Sequence, residues 1–365
     1  MEAPVKWKQT ARGVAGFALV SALLFRPEAA TATFPGENGM LAVEVESGPF
    51  SDQIVILNPD GSFGHYFPFF QDVHHGDPNW SPDGRLIVFN YDNRIAVAGP
   101  DGSGLTLLTE GSDEAPKWSP DQTRILFQRF DFSHDSFEIY AMDADGAEQA
   151  NLTQDPASDT GAQWAPNGSK IAFSSDRAST GVSSIGIYVM NPDGSGLVGV
   201  THGIIRPFLL RESVYSWSPD SLRIVFSSAS SPRGQNDISS VSSGGMGEQR
   251  LTRSPANDIG PVWGPDGRIA FASNRGDSTT CDRDCNYDIF VMDSDGGNLT
   301  RLTNDPAATI PLQWSPNGTK ILFAQFDPTR HDALYVMNAD GSGVSPLETR
   351  DDLNYATDWQ PLPPG

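Results

Sequence analysis

The 365-residue sequence has two cysteines, few basic residues and almost no helix-like apolar periodicity. Outside the first thirty residues, no long segment places apolar residues at positions i, i+3, i+4 and i+7, which argues against amphipathic helices. The chain instead has 36 glycines, 28 prolines and 20 phenylalanines. This composition is typical of short strands joined by many turns, so we expect an all-β fold.

Basic side chains are outnumbered by acidic ones, 24 against 46, which gives a formal net charge of -22. Residues 33–365 carry 20 of the basic and 44 of the acidic side chains. A surface of this sign repels phosphate backbones, so we expect no nucleic acid among the partners.

The N-terminus differs from the rest of the chain. A basic start is followed by the uncharged stretch GVAGFALVSALLF and then by small residues at Ala30 and Ala32. This order is that of a secretory signal peptide over residues 1–32, with an uncleaved membrane anchor as the alternative. After cleavage we expect residues 33–365 to form one secreted or periplasmic domain, monomeric and without a membrane span, because no other stretch could cross a bilayer.

Both cysteines stand in the segment CDRDC, at Cys281 and Cys285. Two nearby cysteines in an exported protein usually pair, so we predict a disulfide that stiffens this loop. A zinc site would need four ligands, and the flanking residues do not complete a zinc motif. Calcium in the same region is a weaker alternative, and no other cofactor is expected. The calcium candidates are Asp277, Asp282, Asp284 and Asp288.

A pattern of Trp, Pro and a turn residue recurs along the chain. It opens with WSPDG, WSPDQ, WAPNG, WSPDS, WGPDG, WSPNG and a truncated WQP, at Trp80, Trp118, Trp164, Trp217, Trp263, Trp314 and Trp359. The separations are 38, 46, 53, 46, 51 and 45 residues. A period in the forties with Trp and Gly marks is typical of four-stranded propeller blades.

Each unit predicts the same four strands. The first ends at the Trp, a Pro-Asp/Asn turn leads into an apolar strand such as RLIVF, and a variable loop precedes a third strand such as GIYVM. A tight Asp-Gly turn then leads to a short strand that ends in Leu-Thr or Val-Thr. We expect the Trp to fill the space between neighbouring blades, because one unit alone cannot bury its own faces.

The two ends of the repeat region complement each other. The last Trp has no further strands after it, whereas the segment near residues 39–70 has three strands and lacks the first. Pairing of residues 353–360 with this segment would complete a blade and remove exposed sheet edges. Six whole units and one composite unit therefore predict a seven-bladed β-propeller in residues 33–365.

The elements WSPDG, IAF, IYVMNPDGSG and LT together resemble the TolB-like propeller repeat, a relative of the WD-type repeats, over about residues 34–360. The resemblance implies a β-propeller and says little about function. TolB carries an α/β domain before a six-bladed propeller, so six blades are the alternative count here, although this chain has no room for that domain. Similar propellers accompany the hydrolase domain of prolyl-oligopeptidase-like enzymes, which we also do not expect in this chain.

Strand order predicts which face of the propeller varies. The loops between second and third strands and the connections between blades lie on one face, which we call the variable-loop face. The residue five positions before each Trp begins a first strand on this face. We call the first five of these residues the channel-mouth arc: His75, Asp113, Asp159, Glu212 and Asp258. They predict an electronegative mouth for a cation or a basic peptide, unless each Asp only caps its own loop through backbone N–H groups.

A second candidate is the connection HGIIRPFLLRE, residues 202–212. An exposed apolar loop would be a partner site, whereas the alternative is that it packs into the channel or against a blade. The apolar side chains concerned are Ile204, Ile205, Phe208 and Leu209.

The sequence has neither the GxSxG nor the HExxH motif of common hydrolases. It therefore favours a non-enzymatic scaffold that binds a protein or peptide. The alternative is a propeller enzyme, a lyase or hydrolase, that acts on a sugar or peptide at the channel mouth.

Overall fold

A computed structural model of the protein describes residues 36–46, 52–68, 73–178, 185–201, 215–229, 235–276, 286–326, 333–348 and 352–362. These residues form seven four-stranded antiparallel sheets and contain no helix. In the same residues, accordingly, no helix has the length and apolarity that a membrane crossing requires. The predicted seven-bladed β-propeller is therefore confirmed.

Each sheet is one blade, and blade 1 combines both ends of the chain. Its strands are β28 (Asp352–Leu362), β1 (Glu37–Glu46), β2 (Asp52–Leu57) and β3 (Phe63–Tyr66). Blade 2 has β4 (His75–Trp80), β5 (Ile87–Tyr91), β6 (Arg94–Ala98) and β7 (Thr106–Leu107). Blade 3 has β8 (Asp113–Trp118), β9 (Arg124–Asp131), β10 (Ser136–Asp143) and β11 (Ala150–Asn151).

The other four blades follow the chain in the same way. Blade 4 has β12 (Asp159–Trp164), β13 (Ile171–Ser175), β14 (Gly186–Met190) and β15 (Val198–Gly199). Blade 5 has β16 (Tyr215–Trp217), β17 (Arg223–Ala229), β18 (Asn236–Ser242) and β19 (Gln249–Arg250). Blade 6 has β20 (Asp258–Trp263), β21 (Ile269–Ser273), β22 (Asp288–Met292) and β23 (Thr300–Arg301). Blade 7 has β24 (Ala308–Trp314), β25 (Lys320–Phe326), β26 (Ala333–Asn338) and β27 (Ser345–Pro346).

The first strand of each blade lies at the centre of the ring. First strands contact one another from blade 1 to blade 4 and from blade 5 to blade 7, while the fourth strands of blades 2–7 are only two residues long. The turns between strands one and two, and between strands three and four, share one end of every blade, which we call the turn face. The variable-loop face is the opposite end, as strand order predicts.

The repeated Trp-Ser-Pro-Asp turns close through their own side chains. In blade 2, Ser81 Oγ donates a hydrogen bond to Asp83 Oδ1 at 2.6 Å, and the Gly84 N–H donates to the Ser81 carbonyl at 2.8 Å. Gly84 has a φ of +69°, a left-handed conformation that glycine adopts without strain. The turn residues of the repeat are therefore explained by turn geometry rather than by ligand binding.

A threonine two residues after the fourth strand also has a structural role in five blades. Its Oγ1 accepts a hydrogen bond from the backbone N–H of an isoleucine in the third strand, which continues the sheet beyond the two paired residues. The isoleucine and threonine pairs are Ile95–Thr109, Ile139–Thr153, Ile187–Thr201, Ile238–Thr252 and Ile289–Thr303, with distances between 2.8 and 3.1 Å.

The apolar core is divided into interfaces between blades. Each of the seven interfaces contains one repeat tryptophan. Between blades 4 and 5, for example, Trp217 packs with Ala172, Ile187 and Phe226, all fully buried or nearly so. The expectation that the Trp fills the space between blades is confirmed.

We expect Trp217→Ala to lower the free energy of unfolding by about 3–5 kcal/mol, because it removes a buried indole and leaves a cavity. Trp263→Ala should cost clearly less, since Trp263 is only half-buried. Urea denaturation of both variants under identical conditions measures the two losses. Equal losses would show that the indoles do not stabilise the ring through burial.

Blade 1 closes the ring through the pairing of β1 with β28. Leu41 lies opposite Trp359 and Ala42 lies opposite Asp358 in an antiparallel ladder. The Trp359 Nε1–H donates to the Gly39 carbonyl at 3.1 Å, which fixes the indole against the N-terminal strand. The predicted closure by both chain ends is therefore confirmed.

Candidate functional site on the variable-loop face

The inner strands are bent by β-bulges near the variable-loop face. The bulged residues have a positive φ, which is +51° at Asp77, +50° at Ala115 and +63° at Gly161. The freed N–H groups bond across the blade boundary: Ala115 donates to Asp77 Oδ2 at 3.0 Å, and Gly161 donates to Gln128 Oε1 at 3.1 Å. The bulges thus join neighbouring blades beside the channel, a position where bulges often occur near functional sites.

Three aspartates of the channel-mouth arc begin inner strands, and their side chains have no exposed surface. Each is paired with an arginine of its own blade rather than with backbone N–H groups. The closest distances are 2.6 Å for Asp113–Arg129, 2.7 Å for Asp159–Arg177 and 2.9 Å for Asp258–Arg275. Asp113 and Asp258 each use both carboxylate oxygens, a geometry that adds directional specificity to the charge attraction.

The three arginines also pack against pairs of aromatic rings that contact each other. Each guanidinium lies 4.7–5.4 Å from the centroids of one ring on the second strand and one on the third. The ring pairs are Phe127 and Tyr140, Phe173 and Tyr188, and Phe271 and Phe290. An aspartate, an arginine and two aromatic rings thus recur in blades 3, 4 and 6, and the cation–π contacts hold each arginine in place.

Burial raises the pKa of Asp159, although the Arg177 guanidinium opposes the shift. Burial and, to a smaller extent, the neighbouring His74 lower the pKa of His75 to about 4, so His75 is neutral at neutral pH. His75 is buried and packs edge-on against Tyr91, with ring centroids 4.9 Å apart.

The structure places His75, Asp113, Asp159 and Asp258 at the mouth of the channel on one face, where their strand positions put them. Because the carboxylates are covered, an approaching ligand meets the arginines first. The exposed fraction of the side chain is 27% for Arg129, 13% for Arg177 and 19% for Arg275. Whether the arc binds a ligand stays a prediction.

Several predicted site residues lie outside the described residues. They are Glu212 of the arc, Ile204, Ile205, Phe208 and Leu209, the cysteines Cys281 and Cys285, and the calcium candidates Asp277, Asp282 and Asp284. The remaining calcium candidate, Asp288, is buried and bonds to Arg301 Nη2 at 2.5 Å. The described part of the chain contains no group of three or more His, Cys, Asp or Glu residues that could hold a metal ion.

A cleft of about 530 Å³ opens at the boundary of blades 2 and 3. Its walls are residues 108–112, Arg129, Phe130, Phe132 and Gln149. Phe132 is 78% exposed at the tip of the hairpin between β9 and β10. Together with the cleft, this exposed ring forms an apolar feature on the variable-loop face.

A polar cluster lies deeper, where blades 7, 1 and 2 meet. The buried Asp358 accepts hydrogen bonds from Gln313 Nε2 on Oδ1 at 3.0 Å, and from Asn79 Nδ2 and the Trp80 N–H on Oδ2 at 3.0 and 2.7 Å. Asn79 Oδ1 in turn accepts the Trp118 N–H at 2.8 Å. The residue before the repeat Trp therefore links one blade to the next.

Sequence reasoning missed the arginines of the mouth and the role of Asp358. A signal for the arginines exists: in blades 4 and 6 the arginine follows the second-strand Phe by four residues, in FSSDR and FASNR. In blade 3 the spacing shortens to two, in FQR, because β9 is longer and the arginine stands within it.

Comparison with known proteins agrees with the propeller fold. A family model described as the TolB beta propeller domain matches residues 108–206. An uncharacterized protein of Agrobacterium fabrum is 26% identical over 265 residues, which cover 69% of this chain and 84% of the relative. The Tol-Pal system protein TolB of Francisella tularensis is 22% identical over 280 residues, 76% of this chain.

The chain is a β-propeller that is similar to TolB-like repeat proteins. Its alignment spans 59% of the length of the Francisella TolB. Among solved structures, puromycin hydrolase matches with a TM-score of 0.63 and 15% identity, covering 89% of this chain and 54% of the hydrolase. Oligogalacturonate lyase from Vibrio parahaemolyticus matches with a TM-score of 0.61 and 12% identity, covering 86% and 90%. At these identities the likeness concerns the propeller fold of the TolB-like chain alone.

Proposed function

We propose that this TolB-like propeller is an exported scaffold that binds a protein or peptide through its variable-loop face. The observation that carries the proposal is the contrast between the two faces. The turn face consists of repeated turns whose polar groups bond within each turn. The variable-loop face instead combines a rigid mouth with dissimilar loops, an arrangement in which binding residues are usually found.

The channel-mouth arc supports binding rather than catalysis in this proposal. A general base must be free to accept a proton from a substrate. The carboxylates of Asp113, Asp159 and Asp258 are instead buried and held by arginines, which suits a fixed inner rim for the binding face. Arg129, Arg177 and Arg275 would then present the outer edge of this rim to the partner.

The proposed export rests on the N-terminal sequence. The basic start, the 13-residue apolar stretch and the small residues at Ala30 and Ala32 have the order of a cleaved signal peptide. The similarity to a Tol-Pal system protein is consistent with an extracytoplasmic location. That similarity extends over 280 residues of this chain and does not itself test export.

Site-specific photocrosslinking in the native host tests the binding face. A photoreactive amino acid is placed at Glu110 or Ser133 on the variable-loop face, and at Asp101 or Asp340 on the turn face; all four side chains are exposed. We expect discrete protein adducts from the first pair and few from the second, because only the first pair borders the proposed contact surface.

Export is measured in the same cells by fractionation and by N-terminal sequencing of the protein. Adducts of equal yield on both faces, or none on the variable-loop face, would contradict the proposed binding function. Adducts at Glu110 and Ser133 that are absent when export is blocked would support both parts of the proposal.

A further inference from the structure

We infer that the cleft between blades 2 and 3 binds a basic peptide segment in which an apolar side chain stands between lysine or arginine residues. This inference rests on the proposed function, because it names the chemistry of the partner at the same face. Its three supports are a rigid exposed aromatic side chain, a cleft with an apolar wall, and unpaired negative charge around it.

The hairpin that carries Phe132 is held by its own polar groups. Asp131 Oδ1 accepts hydrogen bonds from the Ser133 N–H at 2.8 Å and from Ser133 Oγ at 2.7 Å. Asp131 Oδ2 lies 2.7 Å from His134 Nδ1, and these hydrogen bonds lower the pKa of Asp131 to about 2. The hairpin tip is therefore ordered, and Phe132 is presented to solvent at little further entropic cost on binding.

Aromatic packing fixes the direction of Phe132. Its ring meets Phe130 edge-on at 5.0 Å, and Phe130 meets Phe137 at 5.0 Å. Phe137 is buried, so the stack is anchored in blade 3. Phe130 and Phe132 form the wall of the cleft facing Leu108. Rigid aromatic side chains beside a cleft are the common anchors of protein interfaces.

The charge around the cleft is negative. Glu110 lines it and is exposed, and Asp135 stands exposed on the hairpin that carries Phe132. Neither carboxylate forms an ion pair or hydrogen bond with the described part of the chain. The cation at the cleft, Arg129, is already bonded to both oxygens of Asp113.

The partner chemistry follows from these three features. An apolar side chain would enter the cleft against the aromatic wall, while flanking ammonium or guanidinium groups would meet Glu110, Asp135 and the face of Phe132. A cation over an exposed phenylalanine ring gains a further attraction. An acidic segment would instead be repelled by carboxylates that have no counter-ion within the described residues.

Fluorescence anisotropy with three labelled heptapeptides tests the inference on the purified protein. The probes are Gly-Lys-Lys-Trp-Lys-Lys-Gly, its Glu counterpart Gly-Glu-Glu-Trp-Glu-Glu-Gly, and Gly-Lys-Lys-Gly-Lys-Lys-Gly, which lacks the anchor. We expect the first to bind at least about tenfold more tightly than the other two, because only it satisfies both the cleft and the charge. Raising the salt concentration should weaken its binding.

Single substitutions test whether the Lys-Trp peptide binds in the cleft. F132S should weaken binding of the Lys-Trp peptide about fivefold or more, and E110Q about two- to threefold. The matched control M246S removes a side chain that is 76% exposed on the turn face, and it should change nothing. All three residues are exposed, so each variant is expected to keep the melting temperature of the parent protein.

Equal binding of the acidic peptide, or equal affinity of F132S and M246S, would overturn the inference. The photocrosslinking experiment shows whether only the basic-peptide inference is wrong or the proposed scaffold function is wrong as well. Protein adducts at Glu110 or Ser133 without peptide binding in the cleft would leave the scaffold function standing and reject the basic partner.

Discussion

Removal of residues 352–365 should abolish cooperative folding of the propeller. These residues supply β28, the innermost strand of blade 1, and without it β1 loses its central neighbour and the ring opens. The deletion also removes Trp359, which is almost fully buried between blades 7 and 1, and Asp358, which bonds to residues of blades 7 and 2. The expected loss exceeds about 5 kcal/mol, which is comparable with the whole stability of a typical domain.

Thermal unfolding followed by circular dichroism measures this effect. Deletion of residues 363–365 alone is the control, because it leaves the complete β28 in place, and it should preserve the melting temperature. Adding a synthetic peptide of residues 352–362 to the longer deletion should restore part of the transition, since the missing strand is a separate segment of chain. A longer deletion that still melted like the parent would show that blade 1 does not close the ring.

The ring and its closure were predictable from sequence because they depend on features that recur. The same Trp, turn and apolar strand recur along the chain, so one local pattern predicts the blades. The pattern is incomplete at each end of the repeat region, and this predicts the composite blade 1. The position of Trp359 was sufficient to predict its strand as the partner of the N-terminal segment, and the structure pairs it with Leu41.

The mouth was less predictable because its chemistry depends on contacts between strands. The arc aspartates were visible in the sequence through their fixed distance from the Trp. Their arginines were not, because Arg129 and Arg177 stand at different distances from the repeat and meet the carboxylates only after the hairpin has formed. A carboxylate that looks free in sequence can therefore be fully neutralised in the fold.

Asp358 was missed for a related reason. It occupies the position before the repeat Trp, where the other blades carry Asn79, Lys117, Gln163, Ser216, Val262 and Gln313. Only Gln occurs there more than once, and Asp occurs in blade 1 alone, so the repeat conceals the position. Its importance comes from its location at the closure, where donors from blades 2 and 7 converge on one carboxylate of blade 1.

Replacing Asp358 by alanine should be the most damaging single change at the channel, with a loss of about 3–5 kcal/mol. The substitution leaves Gln313 Nε2, Asn79 Nδ2 and the Trp80 N–H without their acceptor in a buried site, and unsatisfied buried donors are costly. Urea denaturation at neutral pH measures the loss. D340A, which removes an exposed turn aspartate, is the control and should cost much less.

The isosteric change D358N removes the charge of Asp358 but keeps only one of its two acceptor atoms, which can still accept from Asn79 and the Trp80 N–H. Burial raises the pKa of Asp358 above its ordinary value, while the Lys117 ammonium opposes the shift. The folded protein therefore holds this proton up to a higher pH than the unfolded chain does. The charged carboxylate costs stability at neutral pH, and this cost disappears as the pH falls from above the raised pKa toward about 4.

The stability of the parent protein should consequently rise relative to that of D358N as the pH is lowered through this window. Asp159, Asp237 and Asp288 also have pKa values raised by burial, but both proteins contain them, so their contributions cancel in the difference. K117M, which removes the opposing cation, should raise the pKa of Asp358 further and steepen the pH dependence. Parallel pH profiles for the parent, D358N and K117M would mean that Asp358 titrates as an ordinary surface carboxylate and that its hydrogen bonds alone join blades 7, 1 and 2.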